Sequence, residues 1–355
     1  MPKLKPVGIF GGGQLAMMLA EAGTKLGLET HILSPNAACP AARSASLVVE
    51  ADYEDLAAIR AFAEACSVIS FEFENLPVRS LFHLAKAGHL VAPGPKVLEL
   101  IQDRLTEKQF LQSCGIAIAP FARIDGAEDF AAAIADTGLP AVLKTRHFGY
   151  DGKGQTWITA PAQAKAAFDA IHHHPAVLES AVDFVRECSV IAARNAKGEF
   201  VHFPVTENLH KNGILRTSTV PANCSDTTAK QAITITRNIA EKLQYVGVLA
   251  VEFFELPGGE LWVNEIAPRV HNSGHWTKGG ATPDQFELHL RAITGMELSM
   301  PNCVPFAQMQ NLIGDEEPRA EQLAGQGWQV VDYGKGQARP GRKMGHAVRV
   351  EGGVS

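Results

Sequence analysis

The N-terminal part of the chain alternates short apolar runs with stretches of helical periodicity, which cover residues 14–26 and 54–65. The apolar runs have the length of strands and are VGIF (7–10), THIL (30–33), SLVV (46–49), SVISF (67–71) and HLVA (89–92). Because strands that alternate with helices pair in parallel, this pattern predicts an α/β domain built on a parallel sheet. The segment APGPK (92–96), with two prolines around a glycine, predicts that this domain ends near residue 95.

The middle of the chain mixes longer helices with strands. Helices are predicted over 97–115, over 226–243 and in DQFELHLRAITG, which ends near Gly295, and strands are predicted around 176–207. The last residues are rich in glycine and proline, which is typical of short strands and turns. We therefore expect three domains, namely an N-terminal α/β domain (1–95), a middle domain of mixed α/β and α+β structure (96–295) and a small C-terminal β-rich domain (296–355).

Composition narrows the class of protein. The chain has 355 residues, 46% of them hydrophobic, which is enough for two or three domain cores. Its net charge of −6 is unfavourable for a general nucleic-acid binder. Its six cysteines are scattered without a CxxC pair, which suits a reducing compartment. No apolar run is long enough to span a membrane, and the first strand leaves no room for a signal peptide. We expect a cytoplasmic protein with no nucleic-acid or membrane partner.

The first glycine-rich segment, VGIFGGGQLAMM, joins the first predicted strand to the first predicted helix. Gly11, Gly13 and Ala16 match the dinucleotide-binding pattern G-x-G-x-x-[GA] in its expected place. An NAD(P) site also needs an acidic residue at the end of the second strand, where this chain has Ser34 and Pro35. The sequence therefore disfavours an NAD(P) site. Two interpretations remain: a tight turn whose glycines allow close packing, or a loop whose N–H groups bind another phosphate.

The segment VEFFELPGGELWVNEI predicts a β-hairpin, because two strand-like runs flank the pair Gly258–Gly259. With that pair as a two-residue turn, Leu256 faces Leu261. The same register places Glu252 directly opposite Glu265. Two like charges in this relation destabilise a sheet unless a cation such as Mg²⁺ lies between them. The alternative is that both carboxylates face solvent, but their apolar neighbours indicate a covered hairpin.

The segment KTRHFGYDGKGQ (144–155) follows an apolar strand and contains Gly149, Gly152 and Gly154. Such a loop can lay backbone N–H groups over a triphosphate while Lys144 neutralises its charge. It is not a Walker A motif, because no GK[ST] sequence opens a helix. Alone, an ordinary surface turn is an equally good interpretation. Together with the carboxylate pair, this flap indicates Mg-ATP held between two lobes.

The order of these features resembles that of the ATP-grasp ligases: Lys144, the flap, VLES (177–180) and then two acidic strands. Longer motifs resemble the 5-(carboxyamino)imidazole ribonucleotide synthase family within that superfamily, over nearly the whole chain. They are FEFEN, QDRLTEKQFL, GYDGKGQ, NLHKNGILRTS, APRVHNSGHWT, QFELHLRAITG and RPGRKMGH. The resemblance implies an ATP-grasp fold preceded by a pre-ATP-grasp domain. It also implies ATP-dependent carboxylation of 5-aminoimidazole ribonucleotide by bicarbonate, through carboxyphosphate, in purine biosynthesis, and a homodimer.

By matching motifs, the resemblance implies the ATP contacts. The expected set is Arg104, Lys144, Gly149, Tyr150, Asp151, Gly152, Lys153, Gly154, Gln155, Glu179, Ser180, Ala181, Val182, Glu187, His210, Asn264 and Glu265. Glu252 and Glu265 would hold Mg²⁺, or Mn²⁺ in its place. The superfamily often has a further asparagine ligand two residues after the second glutamate, where this chain has Ala267. We therefore expect two protein carboxylates, with phosphates and water completing the shell.

The resemblance also implies the contacts of the other substrates. Arg269 would hold bicarbonate, with His271 and Asn272 as helpers. Gly13, Gln14 and Leu15 would present backbone groups to the acceptor nucleotide, and Glu72 would accept from its ribose hydroxyls. In the flap, Tyr150, Asp151 and Lys153 would also reach the acceptor.

The end of the chain carries a cluster of basic residues, here called the basic tail: Lys335, Arg339, Arg342, Lys343 and Arg349. It would clamp the acceptor's 5′-phosphate, chiefly through Arg342 and Lys343; otherwise it is a solvated loop. His271 and His275 are four residues apart, which on a helix would suggest zinc. Gly274 disfavours a helix there, and we prefer an anion site.

Three alternatives stay open at this point. A formate-using glycinamide ribonucleotide transformylase shares the fold and a similar acceptor. An NAD(P) oxidoreductase would depend on the first glycine loop alone. A catalytically inactive ATP-binding regulator is disfavoured by the intact Lys144, Glu252 and Glu265.

Overall fold

The computed structural model describes residues 5–149 and 153–352. Three flap residues that we predict to contact substrates, Tyr150, Asp151 and Gly152, lie outside the described residues. Within the described ranges, no helix has the length and apolar character needed to cross a membrane.

The N-terminal part is the predicted parallel sheet. Its strands, in the order β3-β2-β1-β4, are β1 (Val7–Phe10), β2 (Thr30–Ser34), β3 (Leu47–Glu50) and β4 (Val68–Phe71). Its helices are α1 (Gln14–Lys25), α2 (Leu56–Ala65) and α3 (Val78–Lys86). The predicted fifth strand at 89–92 is wrong, because only Val91 pairs, through a single bridge to Ile69. Pro93 follows at once and has no N–H with which to extend the pairing.

Two helices follow, α4 (Pro95–Gln102) and α5 (Arg104–Ser113), where we predict a single helix over 97–115. The break is at Asp103, whose backbone is extended and whose carboxylate accepts a hydrogen bond from the N–H of Leu105 at 2.9 Å. An aspartate in this arrangement caps a new helix. The new helix therefore begins at Arg104, one of the predicted ATP contacts.

A four-stranded antiparallel sheet comes next, in the order β5-β8-β6-β7. Its strands are β5 (Phe121–Ile124), β6 (Ala141–Thr145), β7 (Gln155–Ile158) and β8 (Ala176–Ser180). Helices α6 (Phe130–Thr137) and α7 (Ala164–Ala170) share its hydrophobic core. The flap connects β6 to β7, and Lys144 pairs with Gln155 at its base.

The largest element is a nine-stranded antiparallel sheet, in the order β14-β13-β9-β11-β12-β17-β19-β18, with β10 paired to β9. Its strands are β9 (Arg186–Arg194), β10 (Phe200–His202), β11 (Thr206–Lys211), β12 (Ile214–Val220), β13 (Gly247–Glu255), β14 (Leu261–Ala267), β17 (Phe306–Ile313), β18 (Gln329–Asp332) and β19 (Lys343–Glu351). The short strands β15 (Ala281–Thr282) and β16 (Asn302–Cys303) pair separately. Strands from the end of the chain thus extend the same sheet that carries the β13–β14 hairpin.

Four helices accompany this sheet: α8 (Asp226–Lys242), α9 (Thr277–Gly280), α10 (Gln285–Thr294) and α11 (Ala320–Gly325). Leu290 and Ile293 of α10 share one buried cluster with Met17 and Leu19 of α1 and with Ala250 of β13. Burial of these side chains favours a fixed arrangement of the N-terminal part against the hairpin.

Candidate active site

A cleft of about 960 Å³ lies where the N-terminal part, the small sheet and the large sheet meet. It brings together most of the predicted site residues. Those that line it are Gln14, Leu15, Glu72, Arg104, Lys144, Gly149, Lys153, Gln155, Glu179, Ser180, Ala181, Val182, Glu187, His210, Glu252, Asn264, Glu265, Arg269, His271, Asn272, Lys335, Arg339, Arg342 and Lys343. Gly13, Gly154 and Arg349 are not among the lining residues.

The hairpin pairs Glu252 with Glu265, as predicted, but its turn differs from the prediction. The loop is Pro257–Gly259, three residues long, and the N–H of Leu256 donates to the carbonyl of Glu260 at 2.8 Å. The expected pairing of Leu256 with Leu261 is therefore wrong. A β-bulge restores the register, because Glu252 pairs with Glu265 while the next residue pairs with Val263, which leaves Asn264 unpaired.

The charges at and around Glu252 and Glu265 are those expected of a cation site. Burial, followed by the charge of Glu265, raises the pKa of Glu252 to about 7. Nη1 of Arg104 lies 3.2 Å from Glu265, and Nε2 of His271 lies 3.6 Å from Glu252. The amide oxygen of Asn264 is buried without a hydrogen-bond partner. Two carboxylates and an amide oxygen suit a hard, oxygen-preferring cation such as Mg²⁺. Among the residues that the structure describes, no group of three or more His, Cys, Asp or Glu is placed to hold a metal ion.

Two lysines share one carboxylate oxygen of Glu179. Nζ of Lys144 lies 2.9 Å from this atom and Nζ of Lys108 lies 3.1 Å from it. Burial alone would raise the pKa of Glu179, but the charges of both lysines outweigh it and lower the pKa to about 2. Oε1 of Glu179 is buried without a partner and is thus available to a ligand. Lys108 is absent from the predicted site residues, although its position four residues after Arg104 on α5 places both on one helix face.

The opposite wall of the cleft holds Glu187 and His210, on neighbouring strands, with 2.9 Å between Oε2 and Nδ1. The same cleft also has an apolar region, which we did not predict from the sequence. Phe184 and Phe254 stack with 4.8 Å between ring centroids, and Trp157 lines the same cleft while 59% exposed. Flat apolar surfaces of this kind suit a nucleobase.

The base of the flap is anchored to the start of α5. Nε of Arg146 lies 2.9 Å from Asp103, and the N–H of Arg104 donates to the carbonyl of Arg146 at 3.0 Å. On the returning strand, Gly154 has φ of +71°, and a Cβ there would lie 2.6 Å from Oγ1 of Thr145. Gly154 therefore shapes the flap without lining the cleft.

Arg269 is held by Glu74, a residue with no predicted role. The guanidinium makes two hydrogen bonds to the carboxylate of Glu74, the Nη2–Oε1 bond at 2.8 Å and the other between Nε and Oε2. Burial would raise the pKa of Glu74, but the charge and hydrogen bonds of Arg269 lower it to about 2. His271 follows, and burial with the charges of Arg269 and Lys343 lowers the pKa of His271 well below its ordinary value. The ring is therefore neutral.

The first glycine loop binds a carboxylate of the protein. Glu72 accepts one hydrogen bond from the N–H of Gly13 and another from the N–H of Ala16 at 3.0 Å. A Cβ on Gly13 would lie 2.6 Å from Oε1 of Glu72, so a larger residue there would displace the carboxylate. Two of the N–H groups that a phosphate would use, those of Gly13 and Ala16, are thus occupied, which favours the close-packing interpretation over a phosphate site.

The basic tail reaches the cleft with four of its five members. Nζ of Lys335 donates to the carbonyl of Lys343 at 2.9 Å, and Nη1 of Arg342 donates to the carbonyl of Gln337 at 3.2 Å. Arg349 instead lies over the ring of Trp328, 5.4 Å from its centroid. Arg349 therefore does not line the cleft with the other four, because its guanidinium packs on Trp328.

Three family models match successive parts of the chain. A ribonucleotide synthetase preATP-grasp domain matches residues 4–102, an ATP-grasp domain matches 109–286, and a phosphoribosylaminoimidazole carboxylase C-terminal domain matches 307–352. Together they account for the N-terminal sheet, both middle sheets and the strands that carry the basic tail.

Similarity to individual proteins extends over the full length. The chain is 47% identical over 354 residues to the N5-carboxyaminoimidazole ribonucleotide synthase of Brucella melitensis, and the match covers 98% of each. It resembles the crystal structure of the synthetase from Thermus thermophilus, with 43% identity and a TM-score of 0.90. The match covers 98% of this chain and 94% of the Thermus chain. An Aspergillus clavatus synthase solved with ADP and 5-aminoimidazole ribonucleotide is 27% identical, with a TM-score of 0.90. That match covers 100% of this chain and 96% of the Aspergillus chain. The chain belongs to the N5-carboxyaminoimidazole ribonucleotide synthase family of ATP-grasp ligases.

Proposed function

We propose that this cleft binds ATP, bicarbonate and 5-aminoimidazole ribonucleotide together, and that a different group of its residues binds each substrate. The chain is an ATP-dependent ligase of purine biosynthesis that carboxylates 5-aminoimidazole ribonucleotide to N5-carboxyaminoimidazole ribonucleotide and releases ADP and phosphate. The observation that carries the assignment of residues is the single cleft that contains Lys144, the carboxylate pair and the basic tail.

ATP binds between the small sheet and the hairpin. Oε1 of Glu179, buried and without a partner, accepts from the adenine amine, and the backbone through Val182 continues along the base. Glu187 accepts from the ribose hydroxyls, with His210 orienting its carboxylate from 2.9 Å. Lys144 and Arg104 meet the phosphates beneath the flap. When Lys144 turns to the phosphates, Lys108 stays beside Glu179 and keeps it ionised.

Glu252 and Glu265 would hold Mg²⁺, or Mn²⁺ in its place. When bound, the cation offsets the negative charge of the triphosphate and of the phosphoryl group in transfer. Arg104, which lies 3.2 Å from Glu265, orients that carboxylate. A cation bound there would favour the ionised form of Glu252.

Bicarbonate binds at Arg269, whose guanidinium is fixed by Glu74. An oxygen of bicarbonate attacks the γ-phosphorus of ATP, the bond to the ADP oxygen breaks, and carboxyphosphate forms. The exocyclic amine of the acceptor then attacks the carboxyl carbon, either of carboxyphosphate or of the CO₂ that it releases. A C–N bond forms, phosphate leaves and the amine loses one proton. Closure of the flap excludes water from this labile intermediate, and the held amine supplies proximity.

The acceptor lies between the N-terminal loop and the basic tail. Arg342 and Lys343 clamp its 5′-phosphate, and Glu72, fixed by two backbone N–H groups, accepts from its ribose. Asn272 is held by Asn311, with 3.0 Å between the amide nitrogen of the first and the amide oxygen of the second. The neutral ring of His271 beside it accepts from the N–H of Ser273 at Nδ1, at 3.3 Å, and assists Arg269 in holding bicarbonate. The released phosphate is able to take the proton that the amine loses.

Isotope transfer tests this chemistry. Bicarbonate labelled with heavy oxygen should deliver one labelled oxygen to the phosphate product, because that oxygen becomes the bridge in carboxyphosphate. Mass spectrometry of the phosphate measures it. Unlabelled phosphate formed alongside the carboxylated ribonucleotide would contradict the route through carboxyphosphate.

Assembly and location also belong to this proposal. Membership of the family supports a homodimer that works in the cytoplasm. Sedimentation of the purified protein at several concentrations measures the oligomeric state, and cell fractionation measures the location.

A further inference from the structure

Two histidines, one from the motif of the bicarbonate site and one from the motif of the acceptor site, lie in the protein interior. His275 ends the segment RVHNSGH, and His346 ends RPGRKMGH. Both are 0% exposed, and 4.8 Å separates their ring centroids. Neither lines the cleft, so the carboxylation reaction does not use them directly.

Gln285 links His275 to the residues proposed to hold bicarbonate, Arg269, His271 and Asn272, here called the bicarbonate segment. Its amide nitrogen lies 3.2 Å from Nδ1 of His275 and donates to the carbonyl of His271 at 2.9 Å. Its amide oxygen accepts from the N–H of His271 at 2.9 Å. Gly274 leaves room for this clamp, because a Cβ there would lie 2.6 Å from the oxygen of Gln285. The backbone of His271 and the ring of His275 are thus held by one side chain.

Tyr333 links His346 to the basic tail. Its hydroxyl lies 2.8 Å from Nδ1 of His346, and the whole side chain is buried. Nζ of Lys335 lies 5.2 Å from the centroid of the Tyr333 ring and donates to the carbonyl of Lys343 at 2.9 Å. Contacts therefore run without interruption from His271 through the two histidines to Lys343.

The interior keeps both rings uncharged. Burial lowers the pKa of His346 to about 3, and burial followed by the neighbouring His346 lowers the pKa of His275 well below its ordinary value. Nε2 of each ring is buried without a hydrogen-bond partner. Buried polar atoms of this kind commonly hold an ordered water, which would complete the network.

We propose that Gln285, His275, His346 and Tyr333 form a positioning network. This network holds the bicarbonate segment and the basic tail in a fixed position relative to each other. The network sets the distance between Arg269, where carboxyphosphate forms, and Lys343, which holds the acceptor's phosphate. The amine of the acceptor then reaches the carboxyl carbon only when Arg269 and Lys343 are at that distance. This inference rests on the acceptor site of the proposed function. The four side chains touch no substrate and act through the residues that do.

Tyr333→Phe tests the network with a matched control. The variant keeps the ring under Lys335 and removes only the hydroxyl. We expect the KM for 5-aminoimidazole ribonucleotide to rise roughly 5- to 10-fold, as for the loss of one hydrogen bond, with the KM for ATP unchanged. The control is Tyr245→Phe, whose hydroxyl is also buried and donates to the carbonyl of Val248 at 2.7 Å, and which does not line the cleft. It should leave both constants unchanged.

Thermal unfolding of both variants separates positioning from general loss of stability. His346→Gln, which perturbs the other end of the same hydrogen bond, should reproduce the acceptor-specific rise. Equal acceptor constants in the Tyr333 and Tyr245 variants, or a parallel rise of the ATP constant, would overturn the network. A wild-type enzyme that ignores the ribonucleotide would instead refute the proposed function, which is a separate result.

Discussion

Glu252 and Glu265 stand directly opposite each other across β13 and β14, although the loop between their strands has three residues and not two. The longer loop shifts the register by one residue, and the bulge at Asn264 shifts it back before Glu265 is reached. The bulge also brings Asn264 and Glu265 into the same cleft. The proposed metal site therefore depends on the bulge as much as on the two carboxylates.

Glu265→Gln should abolish ATP turnover while the fold stays intact. The amide removes one of the two charges that bind the cation, so we expect ADP release to fall by at least roughly 100-fold. Binding of Mn²⁺, followed by electron paramagnetic resonance, should weaken as well. Glu260→Gln, an exposed position on the same hairpin, is the control and should behave as wild type. Near-normal turnover in the Glu265 variant would refute the metal site.

Lys144→Met should remove a phosphate contact without unfolding the protein. Lys108 remains 3.1 Å from Glu179, so that carboxylate keeps a counterion after the substitution. We expect kcat/KM for ATP to fall roughly 100-fold or more, with little change in the unfolding temperature. Lys165→Met, on the exposed face of α7, serves as the control. If both variants turned over ATP equally well, Lys144 would have no part in phosphate binding.

Lys343→Ala should impair acceptor binding alone. A charged hydrogen bond to phosphate is worth about a 10- to 100-fold change in affinity, so the KM for the ribonucleotide should rise by that factor. The KM for ATP should not change. Arg349→Ala lies on the same strand but against Trp328, and it should leave both constants unaltered. An unchanged acceptor KM in the Lys343 variant would reject the clamp.

The Glu74–Arg269 pair should contribute acid-sensitive stability. The pKa of Glu74 in the folded protein is about 2, below its ordinary value of 4.5. A lowered carboxyl pKa gives stability that is present above pH 4.5 and is lost as pH falls towards 2. The unfolding temperature of Glu74→Gln should therefore depend less on pH in this window than that of the wild type. Glu54→Gln, from an exposed pair with Arg79, is the control. Parallel curves for Glu74→Gln and wild type would contradict the pairing.

Much of this architecture can be predicted from local patterns. Strands β1 to β4 follow from apolar runs of strand length, and Lys144 follows from its place between a strand and a glycine-rich loop. The pairing of Glu252 with Glu265 is correct even though the predicted turn is wrong, because the bulge compensates for the longer loop. The pair Gly258–Gly259 indicates a hairpin but does not fix the length of its loop, and a bulge is fixed by the neighbouring strands.

The partners that orient the site could not be predicted, because they meet only in the folded chain. Glu74 binds Arg269 across 195 residues of sequence, and Asp103 binds Arg146 across 43. The same holds for Lys108 at Glu179 and for the entry of β17 to β19 into the large sheet. Side chains that position other side chains carry no motif of their own in a single sequence.

The proposed acceptor is tested most directly by ADP release with ATP and Mg²⁺ in four mixtures, with and without 5-aminoimidazole ribonucleotide, each with and without bicarbonate. We predict that ADP release depends strongly on the ribonucleotide and that the carboxylated product forms only when bicarbonate is present. ADP release that is indifferent to the ribonucleotide would contradict the assignment of this cleft to that acceptor.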